Sequence, residues 1–94
     1  GASGNISVKG KTSFERGVGI GVKNFTEDAD LTVAGAVRFQ DKKFEVASSI
    51  PENGSYKKGD IVWNNNPTPT GHVGWICVRE GTPGAWKSFG QISS

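Results

Sequence analysis

The sequence predicts a small all-β domain of short antiparallel strands, arranged as a sandwich or a barrel-like cap. Glycine accounts for 14 of the 94 residues, whereas leucine occurs once, at Leu31, and methionine is absent. A helical bundle would need Leu, Ala and Met on its apolar faces. Several segments also alternate apolar with polar or small residues, which is the periodicity of strands.

Size and charge limit the classes of partner. The length suits one domain with a small core, and only 34% of the residues are hydrophobic, which favours self-association. Eleven basic and nine acidic residues leave a net charge of +2 and form no cluster of the kind that nucleic-acid binding needs. No apolar run approaches the ~18 residues of a membrane span. We therefore expect neither a nucleic-acid partner nor membrane insertion.

The composition changes near residue 50. Residues 1–50 contain four phenylalanines and no tryptophan, whereas residues 51–94 contain all three tryptophans, the tyrosine and all four prolines. We expect residues 4–50 to form a glycine-rich β region that acts as a trimer-forming stem. Residues 51–94 are expected to form a tryptophan-rich β cap, and residues 1–3 to be a cloning remnant.

The first predicted strand covers residues 17–22, where glycine alternates with β-branched residues. One of its faces carries three aliphatic side chains and the other carries none, so another backbone could approach closely. An ordinary edge strand would explain the pattern equally well. The sharper hypothesis is a closely packed or intertwined trimer, with these interface candidates: Val18, Gly19, Ile20, Gly21 and Val22.

A β-hairpin is predicted next, after a polar turn at residues 24–30. Residues 31–39 place Leu31, Val33, Gly35, Val37 and Phe39 on one face of a single strand. Residues 40–43 form a polar connector, and residues 44–47 resume the alternation. The Asn-Gly pair within residues 51–55 then marks a loop.

Three further strands are predicted at residues 60–63, 73–79 and 86–92. The loop at residues 64–71 cannot belong to a ladder, because Pro67 and Pro69 lack the N–H donor. Strands this short need aromatic side chains to fill the core, and we expect Trp75 to be one of them. Cys77 lies in the same apolar run, permits no intrachain disulfide, and is predicted to be a buried, reduced thiol.

The second half carries a specific pattern. It consists of YKKGDIV at 56–62, a proline-bearing loop, GWICV at 74–78 and GTPGAWKSFGQI at 81–92. This pattern resembles the C-terminal module of phage tail spikes, tail fibres and neck appendages, also found at the end of pectate-lyase-like right-handed β-helix proteins. The resemblance implies a virion tail protein whose C-terminal module closes a homotrimer and attaches to a host cell-surface polysaccharide. Any catalytic activity would then lie in an upstream domain.

Two further resemblances bear on function. Residues 35–46 are similar to a short β motif of phage tail fibres and appendages. The Tyr-x-x-Gly-Asp-x-Val opening at 56–62 is also similar, more distantly, to that of small chitin- and cellulose-binding modules. The alternative function is therefore a carbohydrate-binding module of a secreted, extracellular polysaccharide lyase or hydrolase.

A glycan site is predicted in the second half, because aromatic rings stack on the apolar faces of pyranoses while polar groups reach the hydroxyls. The competing interpretation is that the rings only fill the core. Asp60 could equally be a turn carboxylate that accepts hydrogen bonds from nearby amides. The candidate carbohydrate-binding residues are Tyr56, Trp63, Trp86, Asp60 and Asn65.

Catalysis is not expected in this chain. The single histidine, His72, lies in a glycine-rich loop, and no His/Cys cluster or Asp-rich loop is present to hold zinc or calcium. No helix follows the glycines at residues 17–21, so a phosphate-cradling loop is excluded. We expect no catalytic residue, no metal and no cofactor.

Overall fold

The computed structural model describes residues 7–24 and 28–94. These residues form seven strands and no helix, which confirms the all-β prediction. The predicted cloning remnant at residues 1–3, and residues 25–27 of the predicted polar turn, lie outside the described residues. The strands are β1 (Val18–Ile20), β2 (Leu31–Val33), β3 (Val37–Phe39), β4 (Lys42–Ala47), β5 (Ile61–Asn64), β6 (His72–Arg79) and β7 (Ala85–Gln91).

The chain divides into two compact units, Gly1–Ala34 and Gly35–Ser94. In the first unit, β1 and β2 form a two-stranded parallel sheet in which Val18 faces Leu31. The strand predicted at residues 17–22 is present but shorter. It ends at Ile20, because the next residue, Gly21, has a φ of 72°, in the left-handed region that favours glycine.

The second unit is one five-stranded sheet with the order β3-β4-β5-β6-β7. Adjacent strands are antiparallel except for β4 and β5, which pair in parallel. The expectation of antiparallel strands throughout is therefore wrong for β1–β2 and for β4–β5. The sheet is open, with β3 and β7 at its edges, so the barrel-like alternative is not what these residues form.

The predicted hairpin is confirmed for β3 and β4, which pair on either side of Gln40 and Asp41. The single strand predicted over residues 31–39 is wrong, because it divides into β2 and β3, which belong to different sheets. The chain bends at Ala34 and Gly35 between them. Glycine is a poor strand residue because it has no side chain to pack and loses the most backbone entropy.

The change in composition at residue 50 does not coincide with the division between the two units. In the sheet of the second unit, β4 lies beside β5, and Phe44 faces Ile61 across the pair. Parallel neighbours need a crossover connection, which residues 48–60 supply. Residues 35–50 therefore belong to the same sheet as the tryptophan-rich half, and the expected boundary falls inside that unit.

One face of the five-stranded sheet forms the core. The alternation of strand side chains directs Val62 of β5 and Trp75 of β6 to this face, where they pair across the strands. Ala47 and Tyr56 pack against the cluster. The predicted burial of Trp75 and Cys77 is confirmed, at 8% and 1% exposure. The buried cluster consists of Val62, Trp75, Cys77 and Trp86.

Candidate functional site

A cleft lined mostly by polar residues opens beside Tyr56, where the loop before β5 meets the turn after β6. Its volume is about 280 Å³. Two backbone hydrogen bonds hold the walls together, because Tyr56 and Gly81 exchange N–H···O contacts of 3.0 and 3.1 Å. We call this feature the Tyr56 cleft. Besides Gly81, its lining consists of Arg38, Ser55, Tyr56, Lys57, Asp60, Glu80 and Thr82.

Asp60 lies at the base of the Tyr56 cleft and is 2% exposed. Its Oδ1 accepts a hydrogen bond from the backbone N–H of Lys43, and its Oδ2 accepts one from the backbone N–H of Lys57, each over 2.9 Å. The backbone N–H of Asp60 in turn donates to the carbonyl oxygen of Lys57 over 3.0 Å. This is the turn carboxylate of the competing interpretation, and it also anchors the loop to β4.

Tyr56 forms one wall of the cleft and is held from several sides. Its ring meets Trp86 edge-on, with 5.0 Å between centroids, and the Nζ of Lys43 lies 4.0 Å from the Tyr56 ring centre. Burial raises the pKa of Tyr56 to about 12, and the hydrogen bond to Glu45 with the negative charges of Glu45 and Asp60 adds to the shift. The hydroxyl therefore stays protonated at neutral pH.

Trp86 is not exposed. It is 9% exposed, and its Nε1–H donates to the carbonyl oxygen of Pro83 over 2.8 Å. The prediction that this ring offers a stacking surface for a sugar is wrong, because the alternation of β7 directs it into the core beside Cys77. Trp86 instead packs edge-on against the Tyr56 ring from the core side.

Trp63 is exposed as predicted, at 41%, but it lies on the opposite side of the sheet from the core. Its ring meets Phe89 at 5.9 Å between centroids. Gly74 lies between the two in the strand order, and a side chain there would crowd the Phe89 ring. Asn65 follows β5, is exposed, and donates its backbone N–H to the carbonyl oxygen of Ala47.

The face that carries Trp63 is apolar and poorly covered. Phe39, Val46 and Trp63 are 63%, 65% and 41% exposed, and the rings of Phe39 and Phe44 lie 5.5 Å apart on it. The strand registers place the rest of its apolar residues beside them. We call this surface the open face, and it consists of Val37, Phe39, Phe44, Val46, Ile61, Trp63, Ile76 and Phe89.

The structure thus separates the predicted glycan residues. It brings Tyr56 and Asp60 together in one cleft, buries Trp86 beneath them, and leaves Trp63 on the open face. The other lining side chains of the Tyr56 cleft were missed. They come from three separate stretches of the chain, and no pattern in the sequence signals that the fold brings these stretches together.

The predicted interface strand lies in the first unit. Val18 and Val22 are half-buried, whereas Gly19, Ile20 and Gly21 are exposed. The face of β1 that was expected to be bare is therefore accessible within this chain. Its role in assembly stays a prediction.

A second cleft of about 400 Å³ lies along the end of β7, between Thr70 and Gln91. His72 contributes to its lining and packs edge-on against Trp75, with ring centroids 5.0 Å apart. Among the described residues, the Nε2 of His72 is buried without a hydrogen-bond partner. No lining side chain of this cleft is a carboxylate, a lysine or an arginine.

Comparisons of the chain with protein families, with curated proteins and with solved structures find no match. Within residues 7–24 and 28–94, no group of three or more His, Cys, Asp or Glu side chains could hold a metal ion. The same residues contain no helix long and apolar enough to cross a membrane.

Proposed function

We propose that this chain is a self-assembling attachment module of the phage tail-spike or tail-fibre type. It forms a homotrimer and holds a host cell-surface polysaccharide. The single observation that carries the proposal is the open face, an apolar sheet surface opposite a core cluster of four buried apolar residues within the described part of the chain. A single sheet with two apolar faces needs a second layer to cover one of them.

The size of the open face supports an interaction role. Phe39, Val46 and Trp63 alone leave roughly 300 Å² of side chain in water, if aromatic residues bury about 150–250 Å² each. Half-buried neighbours such as Ile61 extend the patch. Patches of roughly 300–600 Å² on monomers are often functional.

The chemistry of the open face favours another copy as its partner. The charged residues at its paired positions are Lys42 and Lys87, both cationic, so these positions offer no carboxylate to a basic partner. Apolar faces can pack against one another without opposite charges, because the hydrophobic effect is non-directional. Three such faces turned towards one axis would close a shared core.

The polysaccharide half of the proposal draws on the resemblance of residues 56–92 to tail-spike and tail-fibre modules, and on the Tyr56 cleft, whose lining combines apolar surface with polar side chains. Trimeric attachment modules gain avidity from several weak sites. We assign no reaction to the described residues and place the protein in the virion tail. The alternative is a carbohydrate-binding module of a secreted lyase or hydrolase, which would not need to self-associate.

Light scattering after size-exclusion chromatography tests the assembly. The expected mass is about three times the 9.9 kDa of one chain. The double variant Phe39→Ser/Val46→Ser should shift the population towards the monomer. Ile50→Ser is the matched control, because Ile50 is also 40% exposed but lies outside the strands.

Acrylamide quenching gives a second measurement. Trp75 and Trp86 are buried within one chain, so Trp63 dominates the accessible signal of a monomer. Assembly through the open face should shield Trp63, and the double variant should restore its quenching. A wild-type monomer at micromolar concentration that still binds polysaccharide would favour the alternative module and contradict assembly.

A further inference from the structure

We propose that the Tyr56 cleft binds one neutral hexopyranose unit of the polysaccharide. The inference deepens the attachment half of the proposed function and rests on it. It assigns ligand contacts to Arg38 of β3, to Lys57 of the loop before β5, and to Glu80 and Thr82 of the turn after β6. Trp63 and Trp86 take no part in this site.

The charges of the lining select the class of ligand. Arg38 and Lys57 contribute two positive charges, and Asp60 and Glu80 contribute two negative charges. Because these charges balance, the lining offers no net attraction to an anionic or a cationic ligand. A neutral polyol can use both its donors and its acceptors.

Sugar hydroxyls need donors and acceptors together, because each hydroxyl can donate one hydrogen bond and accept two. The guanidinium of Arg38 and the ammonium of Lys57 donate, whereas the carboxylate of Glu80 accepts. The hydroxyls of Ser55 and Thr82 do either, and their oxygens lie 3.4 Å apart at the cleft. Hydrogen bonds to charged groups are the stronger kind, so Glu80 is the principal expected acceptor.

The cleft is preorganised by contacts that do not involve the ligand. The two backbone hydrogen bonds between Tyr56 and Gly81 hold the loop before β5 against the turn after β6. Asp60 fixes the base by accepting from the amides of Lys43 and Lys57. A preformed site loses less conformational entropy when it binds, which matters most for a small ligand.

The size of the cleft limits the ligand to one ring. Its volume of about 280 Å³ lies just below the roughly 300–1,000 Å³ that is usual for small-molecule sites. A longer glycan would therefore place one residue in the cleft and leave the others on the surface. We expect a dissociation constant of about 1 mM for a single sugar, which is a binding free energy of roughly −4 kcal/mol.

Amide chemical shifts measured during titration of the full chain test the inference. The probes are the methyl glycosides of glucose, galactose, mannose and N-acetylglucosamine, with methyl glucuronide as the anionic comparison. At least one neutral glycoside should shift the amides of residues 55–57 and 80–82 and saturate in the millimolar range. Glu80→Ala should raise its dissociation constant about tenfold or more.

The matched control is Gln91→Ala, which alters the second cleft and should leave the affinity unchanged. Glu80 is exposed, so its replacement should leave the amide spectrum of the core unaltered. The inference is overturned if none of the neutral glycosides shifts the cleft amides, if methyl glucuronide alone does so, or if the shifts map to the open face. The mass measurement is independent, so a trimer without sugar binding separates failure of this inference from failure of the assembly proposal.

Discussion

The carboxylate of Asp60 accepts a hydrogen bond from the backbone N–H of Lys43 over 2.9 Å, although the two residues lie seventeen positions apart. This contact joins the start of β4 to the loop that enters β5, where the sheet has its parallel pair. Its partner contact to the amide of Lys57 leaves both oxygens of a nearly inaccessible carboxylate satisfied. A buried charge is tolerated when it is hydrogen-bonded in this way.

Replacing Asp60 should therefore destabilise the domain. Asp60→Ala removes both acceptors and leaves two backbone amides unpaired, which should lower the free energy of unfolding by about 2–4 kcal/mol. Urea unfolding followed by tryptophan fluorescence measures the change. Asp41→Asn is the control, because that side chain is 65% exposed and should change stability by less than about 0.5 kcal/mol. Equal effects of the two variants would show that the Asp60 contacts do not stabilise the fold.

Gly74 should not tolerate a side chain. A Cβ at this position would lie 2.5 Å from the carbonyl oxygen of Val62 and 3.2 Å from the Phe89 ring. We expect Gly74→Ala to cost about 1–3 kcal/mol, because backbone and ring would have to move. Gly35→Ala is the comparison, since nothing lies within 4 Å of its Cβ position. Thermal unfolding of both variants checks this, and a neutral Gly74→Ala would contradict the packing described.

The hydroxyl of Tyr56 should ionise at a higher pH than an ordinary tyrosine. It is the single tyrosine of the chain, so the change in absorbance of tyrosinate reports on this residue. The folded protein should titrate near pH 12 rather than at the ordinary tyrosine pKa of 10.0, chiefly because burial disfavours the charged form. The Tyr56→Phe variant should lack the transition. A midpoint at the ordinary value would contradict the burial and the contact with Glu45.

The raised pKa of Tyr56 also makes the stability of the folded protein depend on pH. Because the folded-state pKa is the higher one, the contribution of Tyr56 is fully present below the unfolded pKa of 10.0 and is lost as the pH rises towards 12. Wild type should therefore lose more stability between those pH values than Tyr56→Phe does. Urea midpoints measured across that interval test this, and parallel losses would argue against it.

Cys77 should react slowly with thiol reagents. Its side chain is 1% exposed, and its Sγ lies 3.2 Å from the carbonyl oxygen of Arg79. In native buffer, Cys77 should be labelled only when the protein unfolds. In denaturant, labelling should be immediate. The double variant Cys77→Ala/Val78→Cys moves the thiol to a position that is 40% exposed and should label quickly. Rapid labelling of the wild type without denaturant would refute the burial.

The glycine-rich strand can be tested separately from the open face. If subunits approach one another closely at β1, Gly19→Val should crowd them and weaken association by about 10–100-fold, as overpacking of 1–3 kcal/mol implies. Gly10→Val is the control, because its Cβ position has open space around it. Dilution series by light scattering measure the effect. An unchanged midpoint for Gly19→Val would exclude β1 from the interface.

Several elements were predictable because their causes are local. The alternation of apolar and polar residues at 73–79 and 86–92 was enough to predict strands β6 and β7. The apolar neighbours of Cys77 in its strand were enough to predict that its thiol is buried. Trp86 was assigned to the wrong side. A role in sugar stacking requires an exposed ring, whereas the register with β6 places the Trp86 ring beside Cys77 in the core.

The Tyr56 cleft could not be foreseen from the chain. Arg38 and Glu80 lie far apart in sequence and meet only because β4 pairs in parallel with β5 and Tyr56 pairs with Gly81. Long-range pairings of this kind leave no periodicity in the residues they join. The same holds for the open face. Ile61, Val62 and Trp63 form one apolar run in the sequence, and only the strand register shows that Val62 faces the core while the other two face the opposite side.

The sequence by itself determined the all-β class, the positions of the later strands and the buried thiol, because residue size, branching and alternation act over a few neighbours. Tertiary structure alone decided that β2 and β3 join different sheets, and that Asp60 is an anchor. It also placed Trp63 and Trp86 on opposite sides of the sheet. These outcomes depend on which strands become neighbours and in what register, and a shift of one residue would exchange the two faces.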